Sequence, residues 1–428
     1  MSSVKAVEFL KQHGMSPELV DPARDAVNMA ADMERGLQGK CSAMPMIPTY
    51  LSDAGRIPRG VPAAVIDAGG TNFRSALVTF DEGGYRVEQM NKWKMPGIEK
   101  PATWEEFISF AADSIEPLMD KTDYIGFCFS YSADITPEID GRVQRIDKEV
   151  VITGCEGKLV GASLLAELER RGITGKQIVI LNDTVAVLLG GLAAVDVERY
   201  SGFIGQVSGT GTNTCCSLPQ RRILKLGQTG EKRIIVNLES GMYDGIPAGD
   251  FDRELDAASN NPGSKSFEKR TAGVYLGELC RLMLKAAAEE GLLAKGSAEK
   301  VSALGWIDSA VIDAWASGER LEQVSVNKED ADFVQTLCQA MFERSARCMC
   351  TNLAAILLLT GDGKTPDQPA LICAEGSLVQ KGRCYRPTLE ALIRQHIGEK
   401  MGRYAELKIG QETTLPGSAA AILLNAAK

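Results

Sequence analysis

Gln177-Ile178-Val179-Ile180-Leu181-Asn182-Asp183-Thr184-Val185-Ala186-Val187-Leu188-Leu189 is the stretch on which the fold turns. The apolar run Ile178 to Leu181 reads as a buried parallel strand, and the small apolar residues from Val185 to Ala194 read as the helix leaving it. Asp183 therefore stands at the carboxyl end of a strand. In open α/β sheets that end faces the ligand crevice, which makes its carboxylate a candidate catalytic base. The plainer reading is that Asn182-Asp183-Thr184 caps the helix, because short polar side chains satisfy the free N–H groups of a first turn. What favours chemistry is the company Asp183 keeps, with one strand-edged glycine loop before it and another after it.

The earlier loop is Ala68-Gly69-Gly70-Thr71-Asn72, between the apolar runs Ala63 to Asp67 and Phe73 to Phe80. Its glycines permit close backbone approach, so the hairpin can turn N–H groups toward an anion such as phosphate. Asp67, at the strand end, can hold a magnesium ion through water, since hard cations take oxygen ligands and keep much of their hydration. An ordinary turn carboxylate is the alternative. Beyond it come an amphipathic helix from Trp104 to Leu118, the strand Tyr124 to Phe129 ending at Ser130, a stretch from Thr136 to Val151, and a helix from Leu159 to Arg171. The succession β, β, helix, β predicts a layered α/β domain.

The later loop, Ser208-Gly209-Thr210-Gly211-Thr212-Asn213, follows the strand Gly202 to Val207 and precedes another strand-like run. Two such loops flanking one aspartate point to a duplicated fold that grips a nucleotide phosphate chain from both sides of a cleft. Further on, Glu239 ends the strand Ile234 to Leu238, and Glu268 follows the break Asn260-Asn261-Pro262-Gly263. Both are available to the cleft, with solvated surface charge as the competing role, especially for Glu268. The apolar stripe from Asp330 to Leu359 reads as core. Gly376, between the strand Ala370 to Ala374 and a helix, permits approach of a base or ribose to the helix N-terminus. The small residues from Pro416 to Leu424 open a final helix able to pack against nucleotide or lobe.

Composition narrows the partners. At 428 residues the chain predicts two domains with a cleft. The formal net charge of -9, with no basic block interleaved with aromatics, argues against nucleic acid. The longest apolar stretch, Leu353 to Leu359, falls far short of the roughly 20 residues that cross a bilayer. The amphipathic start Met1 to Leu10 lacks the apolar core of a secretory leader. Eleven cysteines, an odd count often in apolar company, read as reduced thiols of a cytoplasmic protein. Cys348 and Cys350 fall on different sides of the helix expected there, and with two histidines in the chain a zinc site is not expected.

Several motifs then carry a resemblance. Phe127-Cys128-Phe129-Ser130, Thr153-Gly154-Cys155-Glu156-Gly157, Asn182-Asp183-Thr184-Val185, Gly209-Thr210-Gly211-Thr212-Asn213, Phe251-Asp252-Arg253-Glu254-Leu255-Asp256, Asn261-Pro262-Gly263 and Tyr275-Leu276-Gly277-Glu278-Leu279 together resemble the hexokinase family in order and spacing, over residues 62 to 425. The resemblance implies the two-lobed, actin-like (ribonuclease H-like, duplicated) α/β sugar-kinase fold closing over a hexose and MgATP. It divides the chain into a smaller lobe of 58–182 plus 416–428 and a larger lobe of 1–57 plus 183–415. It implies Asp183 as general base toward the sugar 6-hydroxyl, and Ser130, Asp147, Lys148, Asn182, Asn213, Glu239 and Glu268 as sugar-site residues. Asp67, Gly69, Gly70, Thr71, Asn72 and Arg74 resemble the first phosphate motif, with Asp67 serving Mg²⁺, and Gly209, Thr210, Gly211 and Thr212 the second. Gly376, Ser377, Gly417 and Ser418 resemble the adenosine-contacting segments.

Three residues depart from the family pattern: Asp147 where the family has Thr and Lys265 where it has Gln, which bear on the preferred sugar, and Glu375 where the adenosine motif has Asp, which keeps the acidic function and matters least. The expected protein is an ATP:hexose 6-phosphotransferase acting on glucose, or also on mannose or fructose, as a monomer or homodimer. The alternatives are a sugar-sensing protein on the same fold and an actin-like or chaperone-type ATPase.

Overall fold

The computed structural model describes residues 2–146 and 150–426. The expectations for Asp147 and Lys148 lie outside these residues. One mixed sheet has the order Gln177–Leu181, Tyr124–Phe129, Pro62–Ala68, Asn72–Asp81, Gly84–Lys94. Its first three strands are parallel and its last two pairings antiparallel. The second sheet repeats the plan: Arg233–Asn237, Thr212–Pro219 and Gly202–Ser208 pair antiparallel, then Ala370–Glu375 and Ala405–Ile409 add in parallel. The short strand Ile47–Pro48 lies on its outer edge. The duplication expected from the two glycine loops is therefore present in the sheets themselves.

Strands of both sheets escaped the reading of the sequence, Gly84–Lys94 in one and Ala405–Ile409 in the other. Gly84–Lys94 makes the first half of the pattern β, β, β, helix, β rather than β, β, helix, β. Its side chains are exposed along nearly the whole length, so no apolar run or clean alternation marks it. Backbone pairing to Asn72–Asp81 holds it. Just before the stretch from Thr136 and within it, Ser132–Ile135 and Gly141–Arg145 form a further antiparallel pair.

Two helices exchange sides, and their exchange joins the halves. Asp183–Leu192 leaves the five-stranded sheet yet packs on Gly202–Ser208 and Ala370–Glu375, while Thr414–Asn425 leaves the six-stranded sheet and packs on Pro62–Ala68 and Tyr124–Phe129. They also pack on each other. Glycines allow the approach, for a methyl group at Gly417 would collide with the Ala186 carbonyl, and one at Gly126 with the Ser418 carbonyl.

The helices Trp104–Ile115 and Val160–Arg170 cover the five-stranded sheet, and most of the others thicken the six-stranded half. Lys328–Thr360 starts at Asn327, whose side chain accepts from the Asp330 N–H, and stops at Gly361 in the left-handed region (φ 78°). The helices Ser2–Gln12 and Pro22–Leu37 pack along it. Cys348 and Cys350 are both buried, and every cysteine is a free thiol. No helix among the described residues is long and apolar enough to cross a membrane.

Candidate active site

Asp183 sits where strand gives way to helix. Asn182 is the cap: its Oδ1 accepts from the Thr184 N–H at 2.9 Å. Asp183 occupies the first helical position, and its Oδ1 accepts from the Thr184 N–H at 2.7 Å and the Thr184 hydroxyl at 3.2 Å. The amide and the carboxylate thus share the cap N–H, and the carboxylate is held in a set orientation. Close seating of this helix depends on Gly205, where a Cβ would come within 2.7 Å of the Thr184 carbonyl oxygen. Burial first, and the charge of Asp183 among the further causes, raises the thiols of Cys128 in one sheet and Cys215 in the other.

On the six-stranded side a compact polar set gathers. Asn213 opens the strand after the second glycine turn and Asn237 closes the next strand, so antiparallel pairing brings both to one sheet end. Asn213 Nδ2 donates to Asn237 Oδ1 at 2.8 Å and to Glu239 Oε1 at 3.1 Å, and Asn237 Nδ2 donates to the same Glu239 oxygen at 2.8 Å. Asn213 Oδ1 accepts from the N–H groups of Thr214 and Ser240. Glu239 has a left-handed backbone (φ 55°), an uncommon conformation for a non-glycine residue that the surrounding bonds must stabilise. Burial pushes its carboxyl up, the Asn237 hydrogen bond opposes this, and the nearby charges of Asp183 and Glu268 add to the rise while Lys265 offsets it.

Glu268 is partly buried rather than a solvated surface group: its Oε2 accepts from the Thr212 N–H at 3.3 Å, and Lys265 Nζ lies 3.6 Å from its Oε1. A Cβ at Gly211 would lie 3.2 Å from the same Oε2, so the loop glycine makes room for the carboxylate. Ser130 comes from the other half. It follows the strand Tyr124–Phe129, and its N–H donates to Ala68 O beside the first glycine turn.

The two glycine turns are differently built. In the first, the Gly69 N–H donates to Asn72 O, Thr71 and Asn72 are exposed at the tip, and the Tyr131 hydroxyl donates to Gly69 O at 2.7 Å. Asp67 is buried and its Oδ2 takes Arg74 Nε at 3.0 Å. Arg74 Nη2 also reaches Asp67 and donates to Thr414 Oγ1 at 2.9 Å, with Glu412 Oε1 3.7 Å from its other nitrogen. Arg74, expected in a phosphate motif, thus ties the turn to the last helix. In the second turn Gly209 is buried, the Gly273 N–H donates to Gly209 O at 2.8 Å, and only Thr210 is fully exposed.

Among the adenosine-like segments, Gly376 (φ 120°) is pressed against that second turn, where a Cβ would collide with the Ser208 carbonyl. Its expected close approach is therefore made to loop backbone. Ser377 is exposed at the start of the next helix. Gly417 and Ser418 are buried in the helix crossing, and of the two uses expected for that helix the structure shows packing against the lobe. Glu375 binds the N–H groups of Glu412 and Thr413, both at 3.0 Å, and the Thr413 hydroxyl, and so anchors the start of the last helix.

The donor set suits a phosphate-bound cation. No group of three or more His, Cys, Asp or Glu among the described residues forms a metal cage. Magnesium held mainly by phosphate oxygens and water needs little more than one carboxylate, which Asp67 supplies. Thr212 Oγ1, buried in the second turn without a hydrogen-bond partner, is a polar atom that an added phosphate oxygen would satisfy.

Asn237 and Thr414 went unread in the sequence. An amide ending the apolar run Ile234-Ile235-Val236 was the available signal, because a buried amide requires partners. Thr414 carried none.

Two sheets of one plan, each with a glycine turn at the same place and polar groups converging at the strand ends, define the architecture of a sugar kinase. Family models described as hexokinase match residues 6–192 and 203–424, and the chain belongs to the hexokinase family of phosphotransferases. Hexokinase-1 of Oryza sativa subsp. japonica is 27% identical over 438 residues, covering 93% of this chain and 86% of that protein. Hexokinase-2 of Rattus norvegicus is 28% identical over 421 residues, covering 91% of this chain; the chain spans 45% of that relative's length. The structure of the Schistosoma mansoni hexokinase complexed with glucose superposes with a TM-score of 0.79 at 22% identity, over 99% of this chain and 98% of that one, a likeness of fold.

Proposed function

We propose that the protein transfers the γ-phosphate of MgATP to the 6-hydroxyl of a hexose, glucose foremost, with mannose or fructose as further substrates. The observation that carries this reading is one oriented carboxylate, Asp183, at the start of the helix that follows a strand end and close enough for its charge to act on Glu239 in a ring of hydrogen-bonding side chains. A hexose presents a fixed array of hydroxyls, which Asn213, Glu239, Glu268, Ser130 and the Asn182 amide would bind by directional hydrogen bonds. Asp183 takes the 6-hydroxyl proton as the oxygen attacks.

Phosphoryl transfer passes through a loose transition state, so most of the rate comes from alignment and charge neutralisation, with general-base help worth about 10² to 10⁴. Loop N–H groups of Gly69 to Thr71 and Gly209 to Thr212 are suited to the phosphates. Mg²⁺, bound through water to Asp67, would supply charge neutralisation. We divide the molecule into lobes 58–182 plus 416–428 and 1–57 plus 183–415, which close on sugar and exclude water. Eleven free thiols support a cytoplasmic location.

A sugar-sensing role has one observation in its favour, the cation of Lys265 beside Glu268. The test is sugar phosphate formed from MgATP over glucose, mannose, fructose, galactose and N-acetylglucosamine. Turnover of glucose or its neighbours is expected. No turnover with glucose still raising the melting temperature would replace the kinase by the sensor, and ATP hydrolysis indifferent to sugar would replace both by an ATPase.

A further inference from the structure

Glu239 is a carboxylate in an awkward place. Its backbone is left-handed, it stands two residues beyond the strand Arg233–Asn237, and the charges of Asp183 and Glu268 act on it from the helix Asp183–Leu192 and the helix Ser266–Thr271. The positive charge of Lys265 offsets the charges of the two acids, and that lysine also lies 3.6 Å from Glu268. A side chain so placed needs a dedicated partner to stay aimed and charged.

Asn237 has the geometry of that partner. It is buried, and its two polar atoms are divided between the two neighbours: Oδ1 accepts from Asn213 Nδ2 at 2.8 Å, and Nδ2 donates to Glu239 Oε1 at 2.8 Å. With the 3.1 Å bond from Asn213 to the same carboxylate oxygen, the three side chains close a ring. In that ring Asn213 spends its amide N–H groups inward and its Oδ1 on the Thr214 and Ser240 N–H groups, so its orientation is fully determined. We propose that Asn237, which contacts no reacting atom, is a positioning residue that, together with Asn213, aims Glu239 as a hexose acceptor. The inference rests on the sugar-site reading above.

The ring also makes the ionisation of Glu239 depend on Asn237. Burial raises the carboxyl and the Asn237 hydrogen bond lowers it. Removing that donor raises the carboxyl further. The acceptor that a hexose hydroxyl needs is then lost sooner as pH falls. The sign is definite: sugar affinity in a variant lacking the donor worsens toward acid more steeply than in the native protein.

The experiment measures KM for glucose, KM for ATP, and kcat between pH 6 and pH 9 for the native chain, Asn237→Leu and Asn237→Asp. Asn237→Asp keeps the acceptor toward Asn213 and is close to isosteric but sets a second carboxylate against Glu239, so that the pair holds a proton to higher pH; it serves if Asn237→Leu, which removes both bonds, does not fold. Either variant is expected to raise the glucose KM at least about ten-fold at pH 7, with the ATP KM unchanged and the glucose KM rising further toward pH 6. A glucose KM and pH profile like the native protein's would overturn the proposal. So would equal, pH-independent rises in both KM values, the signature of general structural damage. If the native protein itself neither binds nor phosphorylates a hexose, the sugar-site reading fails first; if it does and the variants match it, only the role of Asn237 fails.

Discussion

In the first glycine turn Thr71 and Asn72 stand exposed and Gly69 meets only an ordinary contact with Asn72 O, whereas in the second Gly209 is buried beneath Gly376, Ser377 and Gly273. The two turns occupy equivalent places in sheets of the same plan, yet different forces hold them. Charge holds the first. Asp67 and Arg74 lock its base and reach across to Thr414 and Glu412 beyond the other sheet. Steric fit holds the second, since strand end, helix start and turn share space that only glycine leaves open. Removing charge should therefore disturb one turn, and adding volume the other.

The largest expected effect lies between the turns. Asp183→Asn should lower kcat for sugar phosphorylation by about 10² to 10⁴ while leaving hexose binding largely intact, measured by steady-state kinetics and calorimetric titration. Unchanged turnover would remove Asp183 from the chemistry that both turns serve.

Gly376→Ala comes next. It puts a side chain at φ 120° and against the Ser208 carbonyl, so a stability loss of about 1 to 3 kcal/mol by thermal or urea unfolding is expected, with a raised KM for ATP. Native stability in this variant would show that the second turn is not sterically locked.

Arg74→Ala tests the charged turn. Loss of its bonds to Asp67 should raise the KM for ATP about ten-fold with the sugar KM unchanged, because Asp67 is left buried without its cation. Should the sugar KM rise instead, Arg74 serves the other half. The smallest effect belongs to Gly69→Ala, whose new methyl group meets an ordinary 3.4 Å contact; its melting should match the native protein within about 0.5 kcal/mol. A large loss there would make the two turns alike.

Much of this was legible before any coordinates. The run Ile178 to Leu181, the turns at Gly69 and Gly209, and the buried strand Ala370 to Ala374 all mark themselves locally, by apolar runs that stop at glycine or a short polar residue. Gly84–Lys94 did not, because a strand exposed along its length owes its existence to its neighbour's backbone. Within the site, Asp183, Asn213 and Glu239 announced themselves as polar residues at strand ends. Asn237 acts through Asn213 on the neighbouring strand as well as through Glu239 two residues on, and Thr414 through Arg74 in the other sheet, pairings that no local pattern reports.

By itself, then, the chain determined its elements, its duplicated plan and the residue types at its strand ends, since hydrophobic period and turn chemistry are properties of short segments. Only the tertiary structure decided that the helices Asp183–Leu192 and Thr414–Asn425 exchange sheets, that Arg74 spends its charge on Asp67 and Thr414, and that Asn237 closes a ring with Asn213 and Glu239. Each of these is a pairing between segments whose separation in sequence carries no signal. Such a pairing is settled by which groups can be buried together with their hydrogen bonds satisfied.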